Sequence, residues 1–122
     1  MSETEVRLSA LIIGFTIAAG VLDAIAFTYS ASMWQGGRLV WDDASRAAAS
    51  FALGITMYWG ATRYLGEAGV VLPEIQTLIW FAATVVGVTV IGGRFVHWPL
   101  LDQVVAVNVL LSLGWLIART SA

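Results

Sequence analysis

One carboxylate in this chain stands where a carboxylate is costly. Asp23 interrupts "TIAAGVLDAIAFTYSASMW", residues 16–34, a stretch with no other charge. If the stretch is helical, then at about 1.5 Å per residue Asp23 lies about 24 Å from Arg7 and about 22 Å from Arg38, beyond the reach of water at either end. An ionisable group at that depth in hydrocarbon faces a bundle interior or a wet cavity. Its neighbours at helical spacing, Thr16, Ala19, Gly20, Ala26, Phe27 and Ser30, are mostly small or hydroxylated, so another helix can approach this face closely. Asp23 is then either a carboxyl that binds protons or a cationic ligand, or a polar clamp on a packing face.

The side chains expected to complete a pocket around it are Tyr58, Trp80, Thr84 and Asn108, with Glu74 as a secondary carboxyl. Helical spacing puts Glu74, Thr77, Phe81, Thr84 and Val88 on one face, with Trp80 beside it. Asn108, Ser112 and Trp115 share another, and Ser50, Gly54, Met57 and Ala61 a third, with Tyr58 adjacent. Hydroxyl and amide groups between membrane helices are common glue, so this pattern outlines a pocket only in company with Asp23. The other acids have local reasons to be where they are. Glu74 follows Pro73 and Asp102 follows Pro99, in first turns where negative charge complements the helix dipole. Asp42 and Asp43 are expected to cap the second helix.

The remaining chemistry is sparse. The chain has no cysteine and a single histidine, His97, in "FVHWPL" at a helix boundary. A pair of axial haem ligands and the usual ligands of a catalytic metal are therefore missing. There is also no glycine-rich phosphate loop and no hydrolase nucleophile motif. The expectation is a protein that is not an enzyme and holds no cofactor or metal.

The elements that must position Asp23 follow from composition. The 122 residues are 59% hydrophobic and 11% charged, outside the range of an ordinary soluble domain. The net charge of −2, without a basic cluster, argues against a nucleic-acid partner. Charges divide the chain into four apolar runs, and a span needs roughly 20 residues. The runs predict an all-α integral membrane protein: one domain over 1–122, a bundle of four transmembrane helices with short loops, at approximately 8–34, 44–65, 73–93 and 99–119. Gly36-Gly37, Gly66 to Pro73, and Gly92-Gly93 before Pro99 mark the connections. The start, "MSETEVRLSAL", lacks a basic leader, so the first helix is expected to be retained. Trp34, Trp41 and Trp98 fall at one end of this threading and Trp59 and Trp115 at the other, an aromatic belt at each interface; only Trp80 is deeper. Arg7, Arg63 and Arg119 lie on one side and Arg38, Arg46 and Arg94 on the other, so positive charge gives no orientation.

Four short helices, an acid in the first and balanced arginines resemble the small multidrug resistance family within the drug/metabolite transporter superfamily. The stretch "RYLGEAGVVLPEIQTLIWFAATVVGVTVIGGRFVHWPLLDQVVAVNVLLSLGWLIAR", residues 63–119, is similar to the superfamily's third and fourth helices: a proline-started helix with a deep Trp80, a glycine-rich end and a final apolar helix. The resemblance implies two protomers packed as an antiparallel homodimer. It also implies that Asp23 is the acid that binds protons or a cationic substrate, with Trp80 and Tyr58 in an aromatic lining. The family's acid is a glutamate about two turns nearer its helix start, and its first helix commonly carries a lysine, which this chain lacks.

Two functions are therefore expected from the sequence. One is a small transporter in the bacterial inner membrane that exports organic cations or metabolites in exchange for protons at Asp23, with the rings of Trp80 and Tyr58 attracting the cation and access alternating about a midplane site. The alternative is a non-catalytic accessory or assembly subunit of a larger membrane complex, in which Asp23 pairs within its own bundle or with a partner subunit. The partners are then the lipid bilayer and either small molecules and protons or other membrane subunits.

Overall fold

The computed structural model describes residues 2–120. Its helices are α1 (Glu3–Ser32), α2 (Trp41–Glu67), α3 (Pro73–Gly92) and α4 (Leu100–Thr120). A hairpin of two-residue strands, β1 (Trp34–Gln35) and β2 (Arg38–Leu39), joins α1 to α2. A single turn of 3-10 helix, Phe95–His97, lies between α3 and α4. The helices α1, α3 and α4 are long and apolar enough to cross a membrane. By the same measure of length and hydropathy α2, which carries Asp42, Asp43, Arg46 and Arg63, is not among them.

The helix ends differ from those expected of the apolar runs, each for a local reason. α1 begins at Glu3 because Ser2 and Glu5 form a capping box: the Glu5 amide donates to Ser2 Oγ at 3.1 Å and the Ser2 amide to Glu5 Oε2 at 2.8 Å. It ends at Ser32 because Gly36 and Gly37 adopt φ of 59° and 76° and turn the chain into the hairpin, pairing Trp34 with Leu39. Asp23 is therefore about 14 Å from the end of α1, closer than a helix running on to Arg38 would put it. Val40 precedes α2 without a side-chain cap, and Asp42 and Asp43 lie inside the first turn, where they complement the dipole rather than cap the helix. Glu74 and Asp102 are in first turns as expected.

α1 is the hub, packed along α2 on one side and α3 on the other; the backbones of α2 and α3 approach each other at few points, and α4 leans on α3. One end of the α1–α2 pair is tied by Arg46, which donates to Tyr29 Oη at 3.3 Å and pairs with Asp42 at 3.4 Å. At the other end the Phe15 and Tyr64 rings stack at 5.7 Å. The packing inverts that of a soluble domain. The buried apolar residues are mostly alanines, Ala19, Ala24, Ala26, Ala47 and Ala61, and the largest fully buried side chain is Asp23. The large aliphatic and aromatic residues, among them Ile13, Leu53, Val90 and Leu111, point outward. Small residues let the backbones meet: a Cβ at Gly87 would stand 2.9 Å from the Gly20 carbonyl oxygen.

Candidate functional site

The small face of α1 that permits this close packing also carries Asp23 into the middle of the three-helix cluster, where it is 0% exposed. α3 brings Trp80 to it, and the indole Nε1–H donates to Asp23 Oδ2 at 2.5 Å. α2 presents Gly54 to the other oxygen, and a Cβ there would overlap Oδ1. Oδ1 is buried and has no hydrogen-bond partner among the described residues. Behind the indole lies Tyr58 of α2, its ring stacked on Trp80 with centroids 4.8 Å apart and an interplanar angle of 29°. Thr84 is one turn beyond Trp80, 8% exposed, and its hydroxyl is likewise unpartnered among the described residues.

The structure thus brings Asp23, Trp80 and Tyr58 into one chain of contacts, with Thr84 buried on the same face of α3. It does not bring Asn108 there. Asn108 is exposed on α4, a helix that buries none of its residues because it meets the bundle mainly at α3. The Ser112 hydroxyl donates to the Asn108 carbonyl within that helix. Glu74 is also exposed, at the start of α3 and outside the cluster. Phe27 and Phe81, placed on inward faces by spacing, are 49% and 57% exposed.

A residue that the polar spacing of α3 does not single out is Gln76. It lines a small chamber with Thr16, Ala19, Tyr58, Ala61 and Trp80, at the end of the bundle where α1 starts and α2 finishes. The inward arc of α3 runs through Ile75, Gln76, Trp80, Ala83, Thr84 and Gly87, rotated from the arc through Glu74, Phe81 and Val88. The signal that marks it is a polar residue, a tryptophan and a threonine at i, i+4 and i+8, flanked by alanine and glycine. The chamber is about 10 Å³, room for about one water molecule. A groove of about 400 Å³ between α1 and α3, bounded by Ile17, Val21, Val86, Val90 and Ile91, offers a ligand apolar contact alone.

No cation of the described residues compensates Asp23. Among them the one ion pair is that of Arg46 with Asp42, and Arg63 and Arg119 lie over the rings of Tyr64 and Trp115 at 5.6 and 5.1 Å. Chemically, the cluster can hold a proton or a positive charge on a carboxyl and present two aromatic faces beside it. It lacks a nucleophile paired with a base, and among the described residues no three metal-ligating side chains come together. Comparison with known proteins finds no family model, no curated protein and no solved structure that matches this chain.

Proposed function

We propose that the chain is a small integral membrane transporter in which Asp23 exchanges a proton for an organic cation. The observation that carries the reading is the burial of Asp23 with one indole donor, one unpartnered oxygen and no cation among the described residues beside it. An uncompensated carboxylate in such surroundings is costly, so the group holds either a proton or a positive charge brought from outside. The rings of Trp80 and Tyr58 add cation–π attraction, which favours an organic cation over a small hydrated ion.

The outward-facing apolar surface and the three long apolar helices support a membrane setting. In this reading α2 is the fourth span. Arg46 and Arg63 bound it about 26 Å apart, and their side chains reach outward to the interfaces. Because the chamber beside Trp80 accommodates only a water, the cation enters when α2 and α3, whose backbones approach each other at few points, separate across the Tyr58–Trp80 stack. Kinship with the small multidrug resistance family, assembly as a homodimer and residence in the bacterial inner membrane belong to the same proposal.

The test is uptake of a radiolabelled quaternary ammonium cation into proteoliposomes under an imposed pH gradient. The wild type accumulates the cation in the direction opposite to proton flow, and Asp23→Asn, which retains an acceptor for the Trp80 indole, does not. One observation favours the second reading, an accessory subunit: α4 buries no residue of its own and exposes Asn108, as a helix awaiting a partner subunit does. Under that reading neither protein accumulates cation, and Asp23→Asn lowers thermal stability.

A further inference from the structure

The two directions along the bundle from Asp23 are built differently. Toward the end where α1 begins, the chamber of about 10 Å³ lies against Trp80, and its wall includes Thr16. Threonines in these helices usually satisfy themselves. Thr28, Thr56, Thr77 and Thr89 each donate to the carbonyl four residues earlier. The Oγ1 atoms of Thr16 and Thr84 make no such bond and are buried without a partner among the described residues; of the two, Thr16 lines the chamber. The space is the size of one water, and the Thr16 hydroxyl is an open partner for it. Gln76 forms the outer wall, and its side-chain amide donates to the Val70 carbonyl in the connector between α2 and α3, at 2.9 Å. The chamber is therefore one side chain away from the end of the bundle.

Toward the opposite end the helices are shut by small residues. Ala24 and Ala26 are 0% exposed and Ala47 4%, and a Cβ at Gly87 would stand 3.0 Å from the Ala24 Cβ. The rings of Phe27 and Phe51 meet edge to face at 5.1 Å across the α1–α2 seam.

The geometry points to one-sided access in this conformation: water reaches Asp23 from the amino-terminal end of α1, through a single-water site at Thr16 that the Trp80 indole separates from the carboxyl. Trp80 is the partition because it both lines the chamber and donates to Asp23. When the indole swings aside, a proton passes from the chamber water to the carboxyl, which loads Asp23 from this end. This rests on the reading of Asp23 as an exchanging carboxyl and adds the side from which its proton is loaded.

The chain has no cysteine, so single thiols report access directly. Ala19→Cys lies on the chamber wall and Ala26→Cys beyond Asp23, and both alanines are 0% exposed. Each variant is treated in detergent, where both ends of the bundle are wetted, with 2-aminoethyl methanethiosulfonate, and modification is followed by mass spectrometry. Ala19→Cys reacts at least tenfold faster than Ala26→Cys, and Ala61→Cys on the α2 wall follows Ala19→Cys. Where Ala26→Cys does not fold, Ala24→Cys takes its place. Equal rates, or faster reaction beyond Asp23, overturn the one-sided route. The measurement requires no transport. Loss of the asymmetry with pH-driven uptake intact removes the route alone, and loss of uptake with the asymmetry intact removes the transporter reading alone.

Discussion

The helices α1 and α3 of the three-helix cluster and the helix α4 are built from similarly apolar sequence and pack in opposite ways. The cluster buries mostly alanines and glycines around one acid, whereas α4 buries nothing and exposes Val104, Val105, Val109 and Leu111. Hydropathy does not separate them. Small residues at helical spacing do, because backbones approach closely only where side chains are short. On α1 the stripe through Ala19, Gly20, Asp23, Ala24 and Ala26 meets Gly54 of α2 and Ala83 and Gly87 of α3. On α4 the small residues at such spacing are fewer, Ala106, Gly114 and Ala118, and a Cβ at Gly114 would meet nothing within 4 Å.

That contrast orders the substitutions by their effect. Gly54→Leu drives a side chain into the Asp23 carboxyl and is expected to cost about 3 kcal/mol or more, read as loss of a monodisperse folded species in detergent. Gly87→Val forces apart the α1–α3 contact at the Gly20 carbonyl and is expected to cost about 2 kcal/mol, measured by thermal unfolding. Trp80→Phe preserves an aromatic ring beside Tyr58 and removes the indole donor, leaving both Asp23 oxygens unpartnered. It is expected to cost about 1–2 kcal/mol in the same thermal unfolding measurement. Asn108→Leu, on the uncovered helix, is expected to change the stability of the isolated chain by less than about 0.5 kcal/mol. If Asn108→Leu destabilises as much as Gly87→Val, α4 is as firmly integrated as the cluster and the contrast fails.

The elements are legible in the sequence because charges and glycines punctuate the apolar runs. Four helices stand close to the expected positions, and Pro73 starts α3 as its place in the chain implies. The ends are less legible. The Ser2–Glu5 capping box extends α1 into a charged segment, and Gly36-Gly37 ends it in a hairpin where only a loop is expected. Within the candidate site, depth singles out Asp23, and the ring stack with Trp80 brings in Tyr58. The rotation of α3 is not legible from its polar residues, because Thr77 bonds its own helix and faces outward while Gln76 turns in. Asn108 is misplaced by spacing because a sequence pattern assigns a face to a helix without saying whether another helix covers it.

The most direct measurement is the number of protons released when a quaternary ammonium cation is added to the detergent-purified protein near neutral pH, for the wild type and Asp23→Asn. Exchange at Asp23 predicts release of up to one proton per cation bound by the wild type and none from Asp23→Asn. Binding without proton release in the wild type, or equal release from both proteins, contradicts it.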